Sequence, residues 1–172
     1  MIVIMMGVTG SGKTTVGHCL ADKLGWCFVE GDDWHPSENV QKMSQGIPLE
    51  DGDRWPWLHN LRQRIEALQQ QGQSAVVTCS ALKQSYRQVL KPQPDAAVRF
   101  VYLKGSAATL HARLEQRQQH FMKADMLDSQ LDTLEAPADA IVVEIDDAKT
   151  PKQIATHVIT QLNLSENSQE TH

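Results

Sequence analysis

Five short apolar runs punctuate the chain, at Ile2–Met6, Cys27–Val29, Ala75–Cys79, Val98–Leu103 and Ala140–Ile145. Each is near-continuous in hydrophobicity rather than alternating, the pattern of parallel strands covered on both faces. Helical periodicity fills the intervals. The first helix opens at Gly12 and runs to about Leu24, where Gly25 supplies a stop. A second spans about Trp57 to Gln71, with Leu58, Leu61, Ile65 and Leu68 on one face and Gly72 at its end. A third follows Ser80 and a fourth follows Gly105. The last begins at Thr150, where Thr150-Pro151-Lys152-Gln153 gives an N-cap, a proline at N1 and a glutamine at N3. Its core face is Ile154, Val158, Ile159 and Leu162. Strands alternating with helices predict one three-layer α/β domain over residues 1–164, a five-stranded parallel sheet with helices on both faces. Residues 165–172 are polar and expected to fray as a disordered tail.

Two segments break the alternation. Gly31–Trp55 is polar, rich in turn formers and too long for a tight connection, whereas Gln116–Pro137 is basic and then amphipathic. Excursions of this kind in a compact domain are binding segments or lids. We therefore expect an acceptor-binding segment over residues 31–57 and a lid over residues 116–137.

Composition narrows the partners. A chain of 172 residues with 41% hydrophobic and 22% charged residues is an ordinary globular protein of one domain. Its formal net charge of −5, without any basic run, argues against nucleic acid as a partner. The three cysteines lack metal-ligand spacing and read as small buried residues in a reducing compartment. Met1–Met6 is apolar but lacks the basic flank and length of a signal peptide, and no run approaches the roughly 20 apolar residues of a membrane span. The expectation is a cytoplasmic protein without a membrane partner.

The chemistry starts at Gly7-Val8-Thr9-Gly10-Ser11-Gly12-Lys13-Thr14. Glycines at these positions let the backbone wrap an anion with its N–H groups pointing inward, and the following helix adds the positive end of its dipole. Lys13 is placed to reach the β- and γ-phosphates, the Thr14 hydroxyl to coordinate Mg2+, and Thr15 to donate to the α-phosphate. An apolar strand before and a helix after complete the context of a phosphate-binding loop. The chain is read as binding a nucleoside triphosphate and transferring its γ-phosphoryl group. No Asn-Lys-x-Asp base-reading motif is present, so a GTPase is disfavoured. Ile141–Asp147 superficially resembles an ATPase metal-binding strand, but its place on the last strand favours a loop beside the nucleotide.

A second cluster, Glu30-Gly31-Asp32-Asp33-Trp34-His35, follows the second predicted strand. In an open parallel sheet that carboxyl edge is where ligands bind. A carboxylate there can orient an acceptor hydroxyl and take its proton; alternatively the cluster is a solvated acidic turn.

The stretch Gly31-Asp32-Asp33-Trp34-His35-Pro36, with Asn39, Lys42-Met43, Gly46-Ile47-Pro48-Leu49, Asp51, Asp53-Arg54 and Pro56-Trp57-Leu58, resembles the gluconokinase family. So do Cys79-Ser80-Ala81-Leu82-Lys83 with Tyr86-Arg87 and Leu90, and Tyr102-Leu103-Lys104-Gly105 with Arg113, Arg117, His120-Phe121, Met126-Leu127, Gln130 and Leu134-Glu135. The match runs in order from Gly7 to about Pro137; departures are Thr9 and Thr14 where serines are frequent, Trp34, and Gly52. The resemblance implies ATP- and Mg2+-dependent phosphorylation of D-gluconate at its 6-hydroxyl, on a nucleoside-monophosphate-kinase-like fold with a lid, commonly as a homodimer.

Gluconate carries a carboxylate and a row of hydroxyls, so its site needs a cation and several polar partners. Under the resemblance Arg54 is the carboxylate clamp, its planar guanidinium suited to two hydrogen bonds, or else it forms an ion pair with Asp51 or Asp53. Asp32 is the hydroxyl-orienting base, and His35 and Ser80 are further sugar contacts, His35 being otherwise a solvated loop residue. Lys83 and Arg87 either add positive charge or lie on a solvated helix face. Trp55 and Trp57 are read as packing rather than as sugar-stacking groups. Arg113, Arg117, His120 and Lys123 place basic groups at a helix end and the loop beyond. Arg117 is assigned to the phosphates and, by resemblance to related kinases, Arg113 to the adenine, with Phe121 and Met122 packing the lid down; the alternative is a solvated basic helix end favoured by the dipole. Two rivals remain, a related kinase acting on another acceptor and a nucleotide-binding module without catalysis.

Overall fold

The computed structural model describes residues 1–91, 97–116 and 122–166, with the backbone alone at 122–124. Strand β1 (Ile2–Met6) enters the glycine-rich loop and α1 (Lys13–Leu24). Strand β2 (Cys27–Val29) precedes a 3-10 turn at Gly31–Trp34, α2 (Ser37–Ser44) and α3 (Asp51–Gln70). Then follow β3 (Ala75–Thr78), α4 (Gln84–Leu90), β4 (Val98–Lys104), α5 (Ala107–Gln116), α6 (Met122–Thr133), β5 (Ile141–Glu144) and α7 (Pro151–Gln161). The strands form one parallel sheet in the order β2-β3-β1-β4-β5.

Strand β1 shows why both faces are apolar. Its residues are fully buried, and alternate ones enter different cores. Val3 and Met5 pack with Val16 and Leu20 of α1, Leu110 of α5 and Val158 of α7. Ile2, Ile4 and Met6 pack with Leu58, Leu61 and Ile65 of α3 and with Tyr86 and Leu90 of α4. The helices leaving neighbouring strands β1 and β3 therefore cover opposite faces. That divergence opens a crevice at the carboxyl ends of the two strands, where an open α/β sheet takes its ligand.

Several local expectations shift. Edge position leaves β2 and β5 half-covered, so Val142 is 47% exposed and Cys27 is exposed rather than buried. Cys79 is buried, which pushes its thiol up to about 12 and keeps it protonated. Helix α3 starts six positions before the apolar periodicity, at Asp51 rather than Trp57, and carries Pro56 inside it. Its start is fixed by a polar cap, the Asp53 carboxylate accepting the Glu50 N–H at 2.9 Å. Helix α2, unanticipated within residues 31–57, buries only Asn39 and so has no apolar stripe to betray it. Of the expected tail, Glu166 is tied to Lys23 at 2.8 Å, and residues 167–172 lie outside the described residues.

Beyond β2 the chain turns against the end of β3 so closely that a Cβ on Gly31 would lie 1.9 Å from the Thr78 carbonyl oxygen. No side chain fits there. Gly52, in the first turn of α3, has nothing within 4 Å of the corresponding position. The two glycines should respond with opposite signs. Gly31→Ala is expected to lower the thermal midpoint by about 5–10 °C through overpacking, whereas Gly52→Ala raises it by about 1–3 °C through helix propensity. Calorimetric scans of both variants check the pair.

Candidate active site

The loop between β1 and α1 is shaped by left-handed glycines, with φ of +79° at Gly10 and +90° at Gly12. Gly7 could not carry a Cβ, which would sit 2.9 Å from the Leu103 carbonyl oxygen. Among the described residues no acceptor engages the N–H groups of Gly12, Lys13, Thr14 or Thr15, the open donors of a helix start. Buried beside them, the Ser11 hydroxyl has no partner among the described residues. Val8 is buried, and its carbonyl accepts from the Lys13 ammonium at 3.0 Å. Thr9 donates its N–H to Gln130 Oε1 of α6 at 2.7 Å, a contact the sequence did not suggest.

The carboxyl ends of β2 and β3 face this loop. Thr14 Oγ1 donates to Glu30 Oε2 at 2.8 Å, and Glu30 Oε1 accepts a short hydrogen bond from Thr78. The Gly7 N–H donates to the Ser80 carbonyl at 3.3 Å, which seats Ser80 against the start of the loop. Asp32 leaves 79% of its side chain open to water. Desolvation raises its pKa above the ordinary carboxylate value, Lys13 pulls it down, and Glu30 pushes it up again. Lys13 is its counterpart: burial lowers the ammonium pKa, and Asp32 is the largest influence restoring the charge.

His35 is not solvated. Its side chain is 4% exposed and its ring stacks on Trp57 at 4.1 Å. Desolvation, aided by the Arg54 charge, lowers its pKa to about 4, so the imidazole is neutral near pH 7. Asn39 Nδ2 reaches His35 Nδ1 at 3.1 Å and the Asp53 carbonyl at 2.7 Å. An amide nitrogen can only donate, so Nδ1 accepts and the ring proton sits on Nε2, 4.0 Å from Asp32 Oδ1. Trp57 is a packing residue, 3% exposed, whose Nε1 donates to the Gly31 carbonyl at 2.8 Å. Trp55 stands edge-on to Tyr86 at 5.4 Å.

A cationic cluster lies on the α3 and α4 side. Arg54 Nη1 donates to Tyr86 Oη at 3.1 Å and stands 3.9 Å from Asp51, while Asp53 goes instead to Lys42 at 2.7 Å. Lys83 holds both oxygens of Asp51, at 3.0 and 2.9 Å, and so does not lie on a solvated face. The Tyr86 hydroxyl, followed by Lys83, keeps Asp51 below the usual carboxylate range. Two cations thus share one carboxylate and leave net positive charge. Arg87 fits neither expectation: it is 7% exposed and donates to the carbonyls of Ala81 and Leu82.

On the far side of the loop a cleft of about 250 Å³ is lined by Gly12, Thr15, Arg113, Asp147, Lys149 and Ile154, among others. Arg113 donates to the Asp146 carbonyl at 2.8 Å and to Asp147 at 3.2 Å. The 146–147 loop does lie beside the glycine-rich loop. Arg117, His120 and Phe121 fall outside the described residues, as do the side chains of Met122 and Lys123.

A family profile described as an AAA domain matches residues 2–141. The gluconokinase of Gluconobacter oxydans is 47% identical over 162 residues, spanning 91% of this chain and 88% of its own. A probable gluconokinase of Schizosaccharomyces pombe is 42% identical, over 98% of this chain and 92% of its own. The crystal structure of a gluconokinase from Sinorhizobium meliloti superposes with a TM-score of 0.83 at 41% identity, covering 94% of this chain and 90% of that one. The chain belongs to the gluconokinase family. It is accordingly a P-loop kinase, and the sheet order and two-sided helix cover described above are those of that fold.

Which gluconokinase-family residues did sequence reasoning miss? Thr78 looks like any strand residue, and Gln130 and Tyr86 entered only as matching letters. Their roles come from partners 121 and 35 positions away in sequence.

The buried imidazole has a stability consequence of definite sign. Its folded pKa of about 4 lies below the ordinary 6.5. Above that ordinary value both states are neutral and the shift has no effect. As pH falls from 6.5 toward 4, the unfolded chain takes up a proton that the fold refuses, so stability declines. A His35→Gln variant lacks this contribution, and its urea midpoint should fall less steeply than wild type across that window. Parallel curves would rule out a neutral, buried His35.

Proposed function

We propose that the protein transfers the γ-phosphoryl group of ATP to the 6-hydroxyl of D-gluconate, feeding gluconate catabolism. One observation carries the assignment of roles: Thr14 at the helix start reaches Glu30 at 2.8 Å, two residues before Asp32, which stands 4.0 Å from His35 and biases the ionisation of Lys13. The open amides of the loop, Lys13 and the Ser11 region receive the phosphates. Arg113 and the 146–149 side of the cleft receive the adenine, and Arg117 closes over the phosphates from the lid. Asp32 orients the acceptor hydroxyl; its raised pKa suits a group that must take a proton as the oxygen attacks. His35 Nε2–H and Ser80 contact the gluconate hydroxyls. Arg54 and Lys83 take its carboxylate, a grip in which a guanidinium outperforms a lone ammonium.

Magnesium fits this donor set. Thr14, Glu30 and Asp32 offer oxygen only, and Mg2+ favours one or two carboxylates together with substrate phosphates and retained water. Among the described residues no group of three or more His, Cys, Asp or Glu forms a ready-made cage, which suits an ion that arrives with ATP. When bound, Mg2+ neutralises charge on the β- and γ-phosphates. The resemblance further supports a homodimer in the cytoplasm; no described helix is long and apolar enough to cross a membrane.

Coupled ADP release with a panel of sugar acids, shikimate and nucleotides tests the acceptor. Gluconate should give the largest kcat/KM, and a gluconate rate no higher than that with water would sink the assignment. Lys13→Ala should abolish turnover. Arg54→Ala should raise KM for gluconate about 10–100-fold, as expected for loss of charge-assisted hydrogen bonds, with a smaller change in kcat. Unchanged KM would remove Arg54 from the carboxylate site.

A further inference from the structure

Thr78, the last residue of β3, is 1% exposed, and its hydroxyl lies where three parts of the site meet. It accepts the Gly31 N–H at 3.0 Å and donates to Glu30 Oε1 in a short hydrogen bond. The other oxygen of that carboxylate accepts the Thr14 proton at 2.8 Å. A hydroxyl has one proton and two lone pairs, so these two bonds fix its orientation. Glu30, held at Oε1 from a buried strand end, can no longer swing, and Oε2 stays on Thr14. Because Thr14 spends its proton on Glu30, its lone pairs remain for a cation. The Gly31 N–H bond meanwhile holds the turn that presents Asp32.

We propose that Thr78 is a positioning residue for phosphoryl transfer. One hydroxyl orients the cation side of the site through Glu30 and Thr14, and the acceptor side through Gly31 and Asp32. The inference rests on the roles of Thr14 and Asp32 given above. Packing is the competing role: the Thr78 methyl faces Gly17, where an added Cβ would come within 3.3 Å of it.

Two substitutions separate hydroxyl from methyl. Thr78→Val keeps the methyl contact and removes the hydroxyl, and Thr78→Ser does the reverse. In the valine variant the Mg2+ concentration that half-saturates binding of a non-hydrolysable ATP analogue, without acceptor, should rise about 10-fold or more. The kcat with gluconate should fall about 10–100-fold, the range seen when a group supporting a metal ligand is removed. Hydrogen exchange at the Gly31 amide should accelerate. The serine variant should stay within about 3-fold of wild type in all three readouts, a threshold set by the 10-fold lower bound above. The opposite ranking, or equal loss in both variants, overturns the proposal in favour of packing. If the valine variant does not fold, serine decides: retention of Mg2+ dependence and Gly31 protection supports the hydroxyl, and their loss overturns it. Nucleotide binding and amide exchange need no acceptor. A wild-type protein inactive on gluconate would therefore defeat the acceptor assignment without touching these two measurements.

Discussion

The approach of Gly31 to the end of β3 is the constraint on which the acceptor half of the site depends. A backbone that passes so near the Thr78 carbonyl admits no Cβ, and both polar groups of Gly31 must find partners away from water. They do: the N–H goes to Thr78 and the carbonyl to the indole of Trp57. Left unmade, each bond would cost about 1–3 kcal/mol in a buried setting. Once Trp57 is committed to Gly31, its ring face is fixed, and His35 stacks on it. Trp57 also locks the first turns of α3, the helix that carries Arg54. One close contact between two strand ends thus orders residues spread over half the acceptor segment.

Electrostatics follows from the same geometry. Desolvation lowers the Lys13 pKa and raises that of Asp32, and each charge partly restores the other. Under the proposed function, a phosphoryl group entering between them would bring negative charge. It would stabilise the Lys13 ammonium and raise the proton affinity of Asp32, the direction needed if that carboxylate is to receive the acceptor proton as proposed. His35 stays neutral beside this pair because Arg54 and burial both oppose its protonation. A second cation there would compete with Lys13 for Asp32. Neutrality leaves His35 as a hydrogen-bond donor with a defined tautomer.

The parts legible in the sequence were those whose physics is local. A continuous apolar run reads as a buried strand whatever surrounds it, and Gly7–Thr14 carries its chemistry in its own backbone. Strand ends shift by a residue or so, and the parallel five-stranded α/β class stands, but the strand order is not written in the runs themselves. The illegible parts are set by contacts across the fold. Helix α2 buries one polar residue, so no periodicity announces it. Cys27 sits in an apolar run but on an edge strand, and only the strand order 2-3-1-4-5 shows that the edge is open. An arginine on a short helix suggests a substrate charge and a surface charge equally, and the burial of Arg87 against two carbonyls cannot be read from its neighbours. Thr78 was silent for the same reason.

Arg87 also explains how a strained loop is kept in place between the two halves of the site. Ala81 adopts a positive φ of 47° while fully buried, a conformation that costs a non-glycine residue about 1–3 kcal/mol. Such strain persists only where the surroundings over-determine it. Arg87 holds the carbonyls of Ala81 and Leu82, and Glu135, just past α6, adds a second clamp. Its N–H donates to Leu82 at 2.9 Å and its carboxylate accepts from the Gln84 N–H at 2.6 Å. Five residues earlier, Gln130 holds Thr9 of the phosphate loop. The end of α6 and the residues just past it therefore touch the phosphate loop and the 82–84 segment at once. Ser80 and Lys83 flank the strained residue, so the force that keeps Ala81 in its unfavourable conformation also fixes where those two side chains start.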